Sequence, residues 1–586
     1  MGYKERADTK HIRQIYENER GVGIFFPKHR EKISGISRVY GLAYIDEGWL
    51  ETDRGIARVE VTIGDEIHSA RLYVKNRYFV RTFDSTRFSD GELTIAVRAF
   101  DQDGNLLGSV SQIVVVDNAH AQTQPRVYAA PDGLPTGDGS LQRPFDVETA
   151  LANLKPGAVL FLRGGEYHRQ MVISTSGKVG APTVIINHED EIVKLTGAGI
   201  EIAAGVSHLI VSGIDQAGTR HDNFGMNVGA DIAHVSVWDC SFCDNTHPYE
   251  CMPPTPQMEY GTGLYAGVIR SKPDRSLIRR YFEVSHCLAC GNDVDGFHLA
   301  STAHGRFQFL EACWTPDGRL PAKHGVDIYQ YKHANGFAAD NSEYRWSGFA
   351  SWDIAYLFCY SHHNGQDGWD IRTPHVRLFG CVTHDEAYVG IPYGGVGLKF
   401  WEYDYQITNC VTFRNNLVDG TGDAFTLACD ADDPRYESYR RKNAFIQNTA
   451  FYHADKDAIN LEPGAHEIFV ENCVIQKATR AITEDIADAC HGYIRRCIFC
   501  QVKEGTVAEF DEPLSERIFA SHIADPGFND PEKGNFFPKE DSLMRTAGNT
   551  YGLLFDVDGV DYSLLDGLGR PRQRLTEAGP YTRYDK

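Results

Sequence analysis

The sequence predicts an all-β chain in which a β-sandwich precedes a long parallel β-solenoid. Three observations lead to this prediction: alternating strands before residue 118, short β segments with almost no helix after residue 126, and a cysteine that recurs in one local context. At roughly 150 residues per domain, 586 residues would suggest about four domains. Because stacked repeats form one continuous structure, we expect only two structured domains.

The first domain is predicted from alternation and turns. Segments such as Ala57–Ile63 and Leu93–Ala99 alternate apolar and polar residues, which is typical of half-buried strands. The string DGELTIAVRAFDQDGN resembles the late strands of bacterial immunoglobulin-like modules that are attached to carbohydrate enzymes. The predicted organisation is an N-terminal extension (1–30), an immunoglobulin-like β-sandwich (31–118), a polar linker (119–126) and the β-solenoid (127–586).

The composition excludes several classes of partner. Asp plus Glu is 80 against 58 Lys plus Arg, a formal net charge of −22, whereas a non-specific nucleic-acid binder needs a basic face. No window approaches about 18 consecutive apolar residues, so we expect no membrane partner. The start, MGYKERADTK, has no apolar stretch of the kind found in signal peptides, which indicates an intracellular protein or a removed leader. We expect a monomer.

A recurring cysteine predicts the coils of the solenoid. The motif recurs after 22 to 29 residues or after 39 to 47, as expected of one coil without or with an insertion. Its members are Cys240, Cys287, Cys313, Cys359, Cys381, Cys410, Thr449, Cys473 and Cys497. We expect these side chains to stack inside, because a free cysteine packs as a small hydrophobe. Three CxxC pairs (Cys240/Cys243, Cys287/Cys290, Cys497/Cys500) could be metal or redox motifs, but their place in the repeat favours packing.

A second repeat follows each cysteine and predicts a polar column. Four segments align, and each ends in an outward residue. They are Asp295–His298, His324–Asp327, Asp367–Asp370 and Val396–Lys399, and later coils continue as 423–426 and 457–460. Alternation sends the third residue of each segment inside and the fourth outside, on rungs about 4.8 Å apart. We therefore expect His298, Asp327, Asp370 and Lys399 to form one outward column.

The residue types in this column indicate proton abstraction beside a metal. Carboxylates on neighbouring rungs repel one another, so Asp327, Asp367 and Asp370 together favour a hard cation. Ca²⁺, which takes six to eight oxygen ligands, suits such a set. Lys399 lies one rung beyond, where a bound dication would lower its pKa. β-Elimination from a uronic acid needs this combination, because the cation stabilises charge on the carboxylate while a base removes the C5 proton.

Several segments resemble known carbohydrate-active β-helices. Arg126–His168 (RVYAAPDGLPTGDGSLQRPFDVETALANLKPGAVLFLRGGEYH) resembles the N-terminal cap and first coils of right-handed parallel β-helix proteins of the pectate-lyase superfamily. Ala524–Ser542 resembles the segment that closes many of these helices. The resemblance implies a right-handed parallel β-helix, in a family whose members are usually secreted.

The site resembles that of family-nine polysaccharide lyases. These enzymes carry an NGxDGxD calcium segment followed one coil later by a GxxLys segment, matched here by 364–370 and 395–399. The resemblance implies Asp367 and Asp370 as calcium ligands, Asp327 as a further ligand by register, and Lys399 as the base. Many members have an acidic residue where this chain has Gln366, so one charge is missing.

The predicted function is a calcium-dependent lyase of a uronic-acid polysaccharide of the pectate or rhamnogalacturonan type. Predicted substrate contacts are Arg372 and Arg414 to carboxylates, Trp401 to a sugar ring, and His298, for which a structural role is the alternative. The competing functions are a β-helix glycoside hydrolase with paired carboxylates, a uronate C5-epimerase and a non-catalytic glycan-binding solenoid.

Overall fold

The structure is a computed structural model, and the description covers part of the chain. The described residues are 21–43, 48–50, 55–119, 121–219, 224–246, 261–267, 278–315, 334–339, 351–388, 395–417, 422–428, 442–462, 466–484, 490–504, 518–519, 521–548, 555–558, 560–562, 565–570, 572 and 577–582. Nearly all regular structure in them is β. Neither of their α-helices is long and apolar enough to cross a membrane.

The N-terminal domain is one mixed eight-stranded sheet in the order β1-β3-β6-β5-β4-β7-β8-β2. Its strands are β1 (Val22–Phe26), β2 (Lys32–Ile33), β3 (Ile36–Ala43), β4 (Arg58–Ile63), β5 (Glu66–Tyr73), β6 (Tyr78–Asp84), β7 (Gly91–Phe100) and β8 (Leu106–Val116). The predicted alternation holds in β4, where Val59, Val61 and Ile63 are buried. The sheet begins at Val22, inside the predicted extension, because β1 pairs with β3. An immunoglobulin-like topology stays a prediction.

The second domain is a parallel β-helix that is built from many short strands. They are β9 (Arg126–Ala129), β10 (Val159–Leu162), β11 (Gly165–Tyr167), β12 (Met171–Ile173), β13 (Thr183–Asn187), β14 (Val193–Thr196), β15 (Ile200–Ile202), β16 (Ser207–Ser212), β17 (Ile214–Ala217), β18 (Met226–Val228), β19 (Ala233–Cys243), β20 (Leu264–Ala266), β21 (Arg279–Cys290), β22 (Phe297–Leu299), β23 (Thr302–Ala303), β24 (Arg306–Cys313), β25 (Phe337–Ala339), β26 (Ile354–Leu357), β27 (Tyr360–His362), β28 (Trp369–Ile371), β29 (Val376–Phe379), β30 (Val382–His384), β31 (Leu398–Phe400), β32 (Tyr405–Thr408), β33 (Val411–Phe413), β34 (Phe425–Leu427), β35 (Lys442–Gln447), β36 (Ala450–Leu461), β37 (His466–Glu471), β38 (Val474–Glu484), β39 (Cys490–Arg495), β40 (Ile498–Glu504), β41 (Ile518–Phe519) and β42 (His522–Ile523).

Parallel pairing divides these strands into three sheets. In the first coils each strand pairs with the strand three places further on, as β10 does with β13, β11 with β14 and β12 with β15. We call the sheets that contain β10, β11 and β12 the first, second and third sheet. The later strands β26, β27 and β28 belong to the first, second and third sheet in turn. This arrangement confirms the predicted parallel β-helix.

A short helix covers the core at the N-terminal end of the β-helix. Helix α1 (Val147–Ala152) begins after Asp146, whose carboxylate accepts a hydrogen bond from the Thr149 backbone N–H at 2.8 Å. Aspartate is one of the residues preferred at this N-cap position, because its carboxylate satisfies a backbone N–H of the first helical turn. The buried side chains of Val147, Ala150 and Leu151 pack on the interior of the first coils.

The interior cysteine column is confirmed with one correction. Cys240 lies opposite Cys287 on the next rung, and the thiols from Cys359 to Cys497 at the repeat positions are buried and unpaired by disulfides. The assignment of Cys313 to this column is wrong, because Leu310 lies opposite Cys287 and Cys313 lies opposite Cys290. Leucine and cysteine are both apolar and both are accepted at this interior position, so residue identity alone does not determine the register.

The N-terminal sheet and the C-terminal segment pack on the outside of the first two sheets. Trp49 contacts the Tyr360 ring and donates from Nε1 to the Tyr581 hydroxyl at 2.9 Å. Lys75 donates its backbone N–H to Glu311 at 3.0 Å. The C-terminal segment adds α2 (Met544–Ala547) and the strands β43 (Phe528–Asp530), β44 (Asn535–Pro538), β45 (Asp556–Val557) and β46 (Val560–Asp561). Both units share one apolar cluster with these sheets, and no described residue of the third sheet belongs to that cluster.

Candidate functional site

The outward face of the third sheet carries the predicted polar column. From Tyr265 onward the successive rungs present Tyr265, His298, Ala338, Asp370, Lys399, Thr426 and Asn460. The residue before each of them in the chain points inward and is buried. Trp369, before Asp370, and Leu398, before Lys399, are examples. Asp370 and Lys399 are therefore on adjacent rungs, as the sequence predicts.

The position expected for Asp327 is occupied by Ala338. Strand β25 pairs Ala338 with His298 on one side and with Asp370 on the other, so this rung contributes no carboxylate to the column. Asp327 itself lies outside the described residues. Both 324–327 and 335–338 contain a glycine followed by an apolar residue, so the alternation fits either segment. The register predicted for Asp327 is thus wrong. A carboxylate at the end of 324–327 was not a sufficient reason to choose that segment over 335–338.

Lys399 is held by a wholly buried carboxylate. Its Nζ donates to Asp367 Oδ2 at 3.3 Å, and Asp367 Oδ1 accepts the Val396 backbone N–H at 2.9 Å. Burial raises the pKa of Asp367, although Lys399 opposes this shift. Burial alone would lower the pKa of Lys399, but Asp367 and Asp370 outweigh burial and hold that pKa above its usual value. The protein's own charges therefore favour the ammonium form of Lys399.

Asp370 joins two of the predicted substrate contacts to this pair. Its Oδ1 accepts from Trp401 Nε1 at 2.6 Å, and its Oδ2 accepts from the Arg372 guanidinium at 3.4 Å. The Arg372 guanidinium lies 4.5 Å and Lys399 Nζ lies 5.2 Å from the centroid of the Trp401 ring. We call Asp367, Asp370, Arg372, Lys399 and Trp401 the lysine cluster.

His298 lies in the column but is closed off from the surface. Its Nδ1 is 3.0 Å from Asp295 Oδ2, and both side chains are fully buried. The Ala338 rung separates it from Asp370. This environment favours the structural role that was the alternative for His298.

Arg414 is not part of the lysine cluster, and its prediction as a substrate contact is not supported by its position. It follows β33 of the second sheet and pairs with Asp385 Oδ1 at 3.1 Å. The repeat placed it near the column by register. The strand before it pairs within the second sheet, so its position in the coil does not bring it to the third sheet.

A ladder of aspartates behind the column was missed by the sequence analysis. The side chains of Asp295, Asn335, Asp367 and Asp423 each accept the backbone N–H of the residue at the same position on the next rung, at 2.9–3.2 Å. The second carboxylate oxygen then holds an outward side chain, as Asp367 holds Lys399 and Asp423 holds Asn460 at 2.7 Å. The signal was the Asp or Asn that lies two residues before each buried apolar residue of the column.

The described residues offer a partial set of calcium ligands. Asp367 and Asp370 are carboxylates, the donors that Ca²⁺ prefers, and each already accepts from a protein cation. Gln366, next to Asp367 in the chain, has a buried Oε1 without a hydrogen-bond donor in the described part of the structure. The donor types thus fit Ca²⁺, and substrate or water oxygens would have to complete six to eight ligands.

The fold and this cluster define a parallel β-helix with a cationic and acidic site on the outward face of its third sheet, and known proteins are similar to it. No protein-family model matches the chain. A pectate lyase L of Thermoclostridium stercorarium is 22% identical over 322 residues, which are 51% of this chain and 21% of that protein. The chain therefore spans about a fifth of the length of the curated relative it matches.

Solved structures with a similar course of the chain include two lyases and an epimerase. The pectate lyase Pel9A is 14% identical, with 79% of this chain and 97% of that chain covered and a TM-score of 0.42. A rhamnogalacturonan lyase is 12% identical, with 69% and 90% covered and a TM-score of 0.38. The A-module of the Azotobacter vinelandii mannuronan C-5 epimerase AlgE4 is 11% identical, with 65% and 94% covered and a TM-score of 0.40.

Proposed function

We propose that the chain is a polysaccharide lyase that cleaves a uronic-acid-containing polysaccharide by β-elimination, with Lys399 as the base. The observation that carries this proposal is the position of Lys399 on the outward face of the third sheet, held by Asp367 and beside the Asp370–Arg372 pair. The 22% identity to a protein named pectate lyase L supports the class of reaction. The acidic polysaccharide is then the partner of the third sheet.

The lysine cluster has a group for each part of the substrate. The Arg372 guanidinium can pair with a uronate carboxylate in two parallel hydrogen bonds. The Trp401 ring, which already lies beside two cations, can stack on a sugar face. Lys399 then takes the C5 proton, the C4–O bond breaks, and its electron pair leaves with the glycosidic oxygen as the C4–C5 double bond forms.

Lys399 must lose its proton before it can act as a base. Asp367 and Asp370 stabilise its ammonium form, so any change that neutralises or engages these carboxylates lowers the pKa of Lys399. We propose Ca²⁺ as the cofactor, with Asp367 and Asp370 as ligands. When bound there, Ca²⁺ supplies charge stabilisation for the substrate carboxylate and for the carbanion.

The competing functions have less support in this arrangement. A glycoside hydrolase needs two carboxyl groups that reach the scissile bond, whereas Asp367 is fully buried and bonded to Val396 and Lys399. An epimerase needs a second group to return the proton, and His298 is buried beyond the Ala338 rung. A purely binding solenoid predicts no turnover.

Ultraviolet absorbance of the unsaturated uronate product tests the proposal. Uronate polysaccharides of the pectate, rhamnogalacturonan and alginate types would be incubated with the full chain, first with Ca²⁺ and then with EDTA. We expect a calcium-dependent rise on one of them. Release of reducing ends without that absorbance would instead indicate a hydrolase, and the absence of both would contradict lyase and hydrolase action on these polysaccharides and leave the epimerase and the binding protein.

A further inference from the structure

The second sheet carries an outward column of soft metal ligands that the proposed lyase reaction does not use. Cys243, Cys290, Cys313, His362 and His384 lie opposite one another on successive rungs. The second cysteines of the first two CxxC pairs are thus outside the interior column that holds Cys240 and Cys287. The two cysteines of one CxxC pair therefore point to opposite faces of the sheet and cannot bind one metal together. The outer cysteine of each pair instead lies beside side chains of neighbouring rungs.

Three donors of different residue types converge in the middle of this column. Glu311 and Cys313 are two residues apart on β24 and share its outer face, and His362 lies opposite Cys313 on β27. One donor atom from each lies within 4.8 Å of the other two. The Cys290 Sγ is 3.0 Å from the Cys313 Sγ and offers a further donor beside these three.

We propose that Cys313, His362 and Glu311 bind one Zn²⁺ ion on the outer face of the second sheet. Zinc takes thiolate, imidazole and carboxylate ligands in a tetrahedron, and these are the three side-chain types that meet here. The thiolate selects a soft cation and discriminates against Ca²⁺, which prefers oxygen ligands. The fourth position is left for Cys290 or for water.

Neighbouring groups hold two of the three ligands in a suitable orientation. The Nδ1 of His362 lies 2.9 Å from the Nδ1 of His363, so a hydrogen bond there leaves Nε2 facing Glu311, whose Oε1 is 3.4 Å away. The other oxygen of Glu311 accepts the Lys75 backbone N–H at 3.0 Å. Metal-binding histidines and carboxylates commonly have such outer partners, which fix their orientation.

The contact with Lys75 gives the proposed ion a structural role. Lys75 follows β5 of the N-terminal sheet, whereas all three ligands belong to the β-helix. An ion bound to Glu311 would order the carboxylate that receives this contact and so stabilise the junction between the two domains. The neighbouring trio of His363, His384 and Asp385 is a weaker candidate for a soft cation, because it contains no thiol and Asp385 already pairs with the Arg414 guanidinium at 3.1 Å.

Cobalt substitution tests the site separately from the lysine cluster. The full chain would be stripped of metal with a chelator, kept reduced, and titrated with Co²⁺ and then with Zn²⁺ in competition with a chromophoric chelator. We expect one equivalent to bind with a thiolate-to-cobalt charge-transfer band, which the oxygen ligands at Asp367 and Asp370 cannot produce. Because binding displaces the thiol proton, affinity should rise with pH.

Two variants and a matched control decide the assignment. Cys313→Ser should abolish the band, and His362→Gln should weaken zinc binding at least about tenfold, as even outer-shell changes do. Cys500→Ser is the control, because Cys500 is half-buried and lies in the same register column six rungs further on. Equal zinc affinity in Cys313→Ser and Cys500→Ser, or no band in the unmodified chain, would overturn the proposal. Circular dichroism would show that each variant folds.

Discussion

The lysine cluster of the third sheet and the thiol column of the second sheet stand on the same scaffold but differ in charge balance. In the lysine cluster each carboxylate already faces a cation: Asp367 faces Lys399, and Asp370 faces Arg372. Around Cys313 the only ion pair among the described side chains is that of Glu311 with the titratable His362. The β-helix therefore supplies spacing to both regions, and the residue types decide whether a region suits an anionic sugar or a soft metal.

The largest expected effect is that of removing Lys399, and it distinguishes a catalytic base from a lysine that only pairs with an aspartate. Lys399→Ala should lower kcat/KM by about 10²–10⁴-fold or more, because the proton acceptor is lost. Lys456→Ala is the matched control, since Lys456 also faces a ladder aspartate, with its Nζ 3.6 Å from Asp423 Oδ2. The measurement is product absorbance under saturating and subsaturating substrate. Near-normal turnover in Lys399→Ala would remove Lys399 as the base.

A smaller effect is expected at the carboxylate that joins the cluster. Asp370→Asn should lower activity on the order of tenfold or more and weaken the response to Ca²⁺, because a charged ligand is lost. Rates would be measured across calcium concentrations and after chelation. If neither added Ca²⁺ nor EDTA changes the rate of the unmodified chain, the metal part of the proposal is wrong while the role of Lys399 still stands.

The pH dependence of the same variant tests how charge controls the base. Lys399 is active only when neutral, and its pKa is raised by Asp367 and Asp370. Activity should therefore increase as the pH approaches this pKa from below. At saturating Ca²⁺, removing the charge of Asp370 should shift this rise in activity to lower pH, because the ammonium form of Lys399 is then less stabilised. The measurement is kcat/KM as a function of pH for the unmodified chain and for Asp370→Asn. If kcat/KM rises over the same pH range in both, another group controls the reaction.

A buried carboxyl between the second and third sheets should affect stability more than activity. Burial raises the pKa of Glu386 to about 8, and its Oε2 accepts the Asn364 backbone N–H at 2.9 Å. Above about pH 4.5 the unfolded chain loses this proton while the folded chain keeps it. Folded stability should therefore fall as the pH rises towards 8 and then level off.

The matching variant isolates this contribution. Glu386→Gln removes the titration, and we expect it to stabilise the protein by about 1–3 kcal/mol at pH 8 and to change little at pH 4. Urea unfolding at both pH values measures the difference. Equal pH dependence in the variant and the unmodified chain would show that Glu386 is not the group responsible.

The smallest effect concerns thiol reactivity. Cys243, Cys290 and Cys500 are partly exposed, whereas the interior column is buried. Under native, metal-free conditions the outward thiols should react with a thiol reagent first, and the interior ones should react only as the chain opens. Rapid labelling of most of the 14 cysteines would contradict the interior column.

The local sequence pattern alone was enough to predict much of the fold of this protein. The alternation around Trp369 and Leu398 requires that one face of each strand is buried, and it therefore predicted the β-helix and the outward pair of Asp370 and Lys399. The capped helix after Asp146 was predictable for the same reason, since its signal lies within a few residues. These features depend on neighbours in sequence and not on the path of the chain between coils.

The tertiary structure decided which residues meet across rungs. Register depends on the length of each insertion and on which segment packs best, so Ala338 and not Asp327 precedes Asp370, and Leu310 and not Cys313 follows Cys287. The turn of each coil likewise carried Arg414 away from Lys399 and brought Cys313 to His362. Side-chain periodicity is a local property of the backbone, whereas the neighbours of a side chain on other rungs are set by the packing of the whole helix.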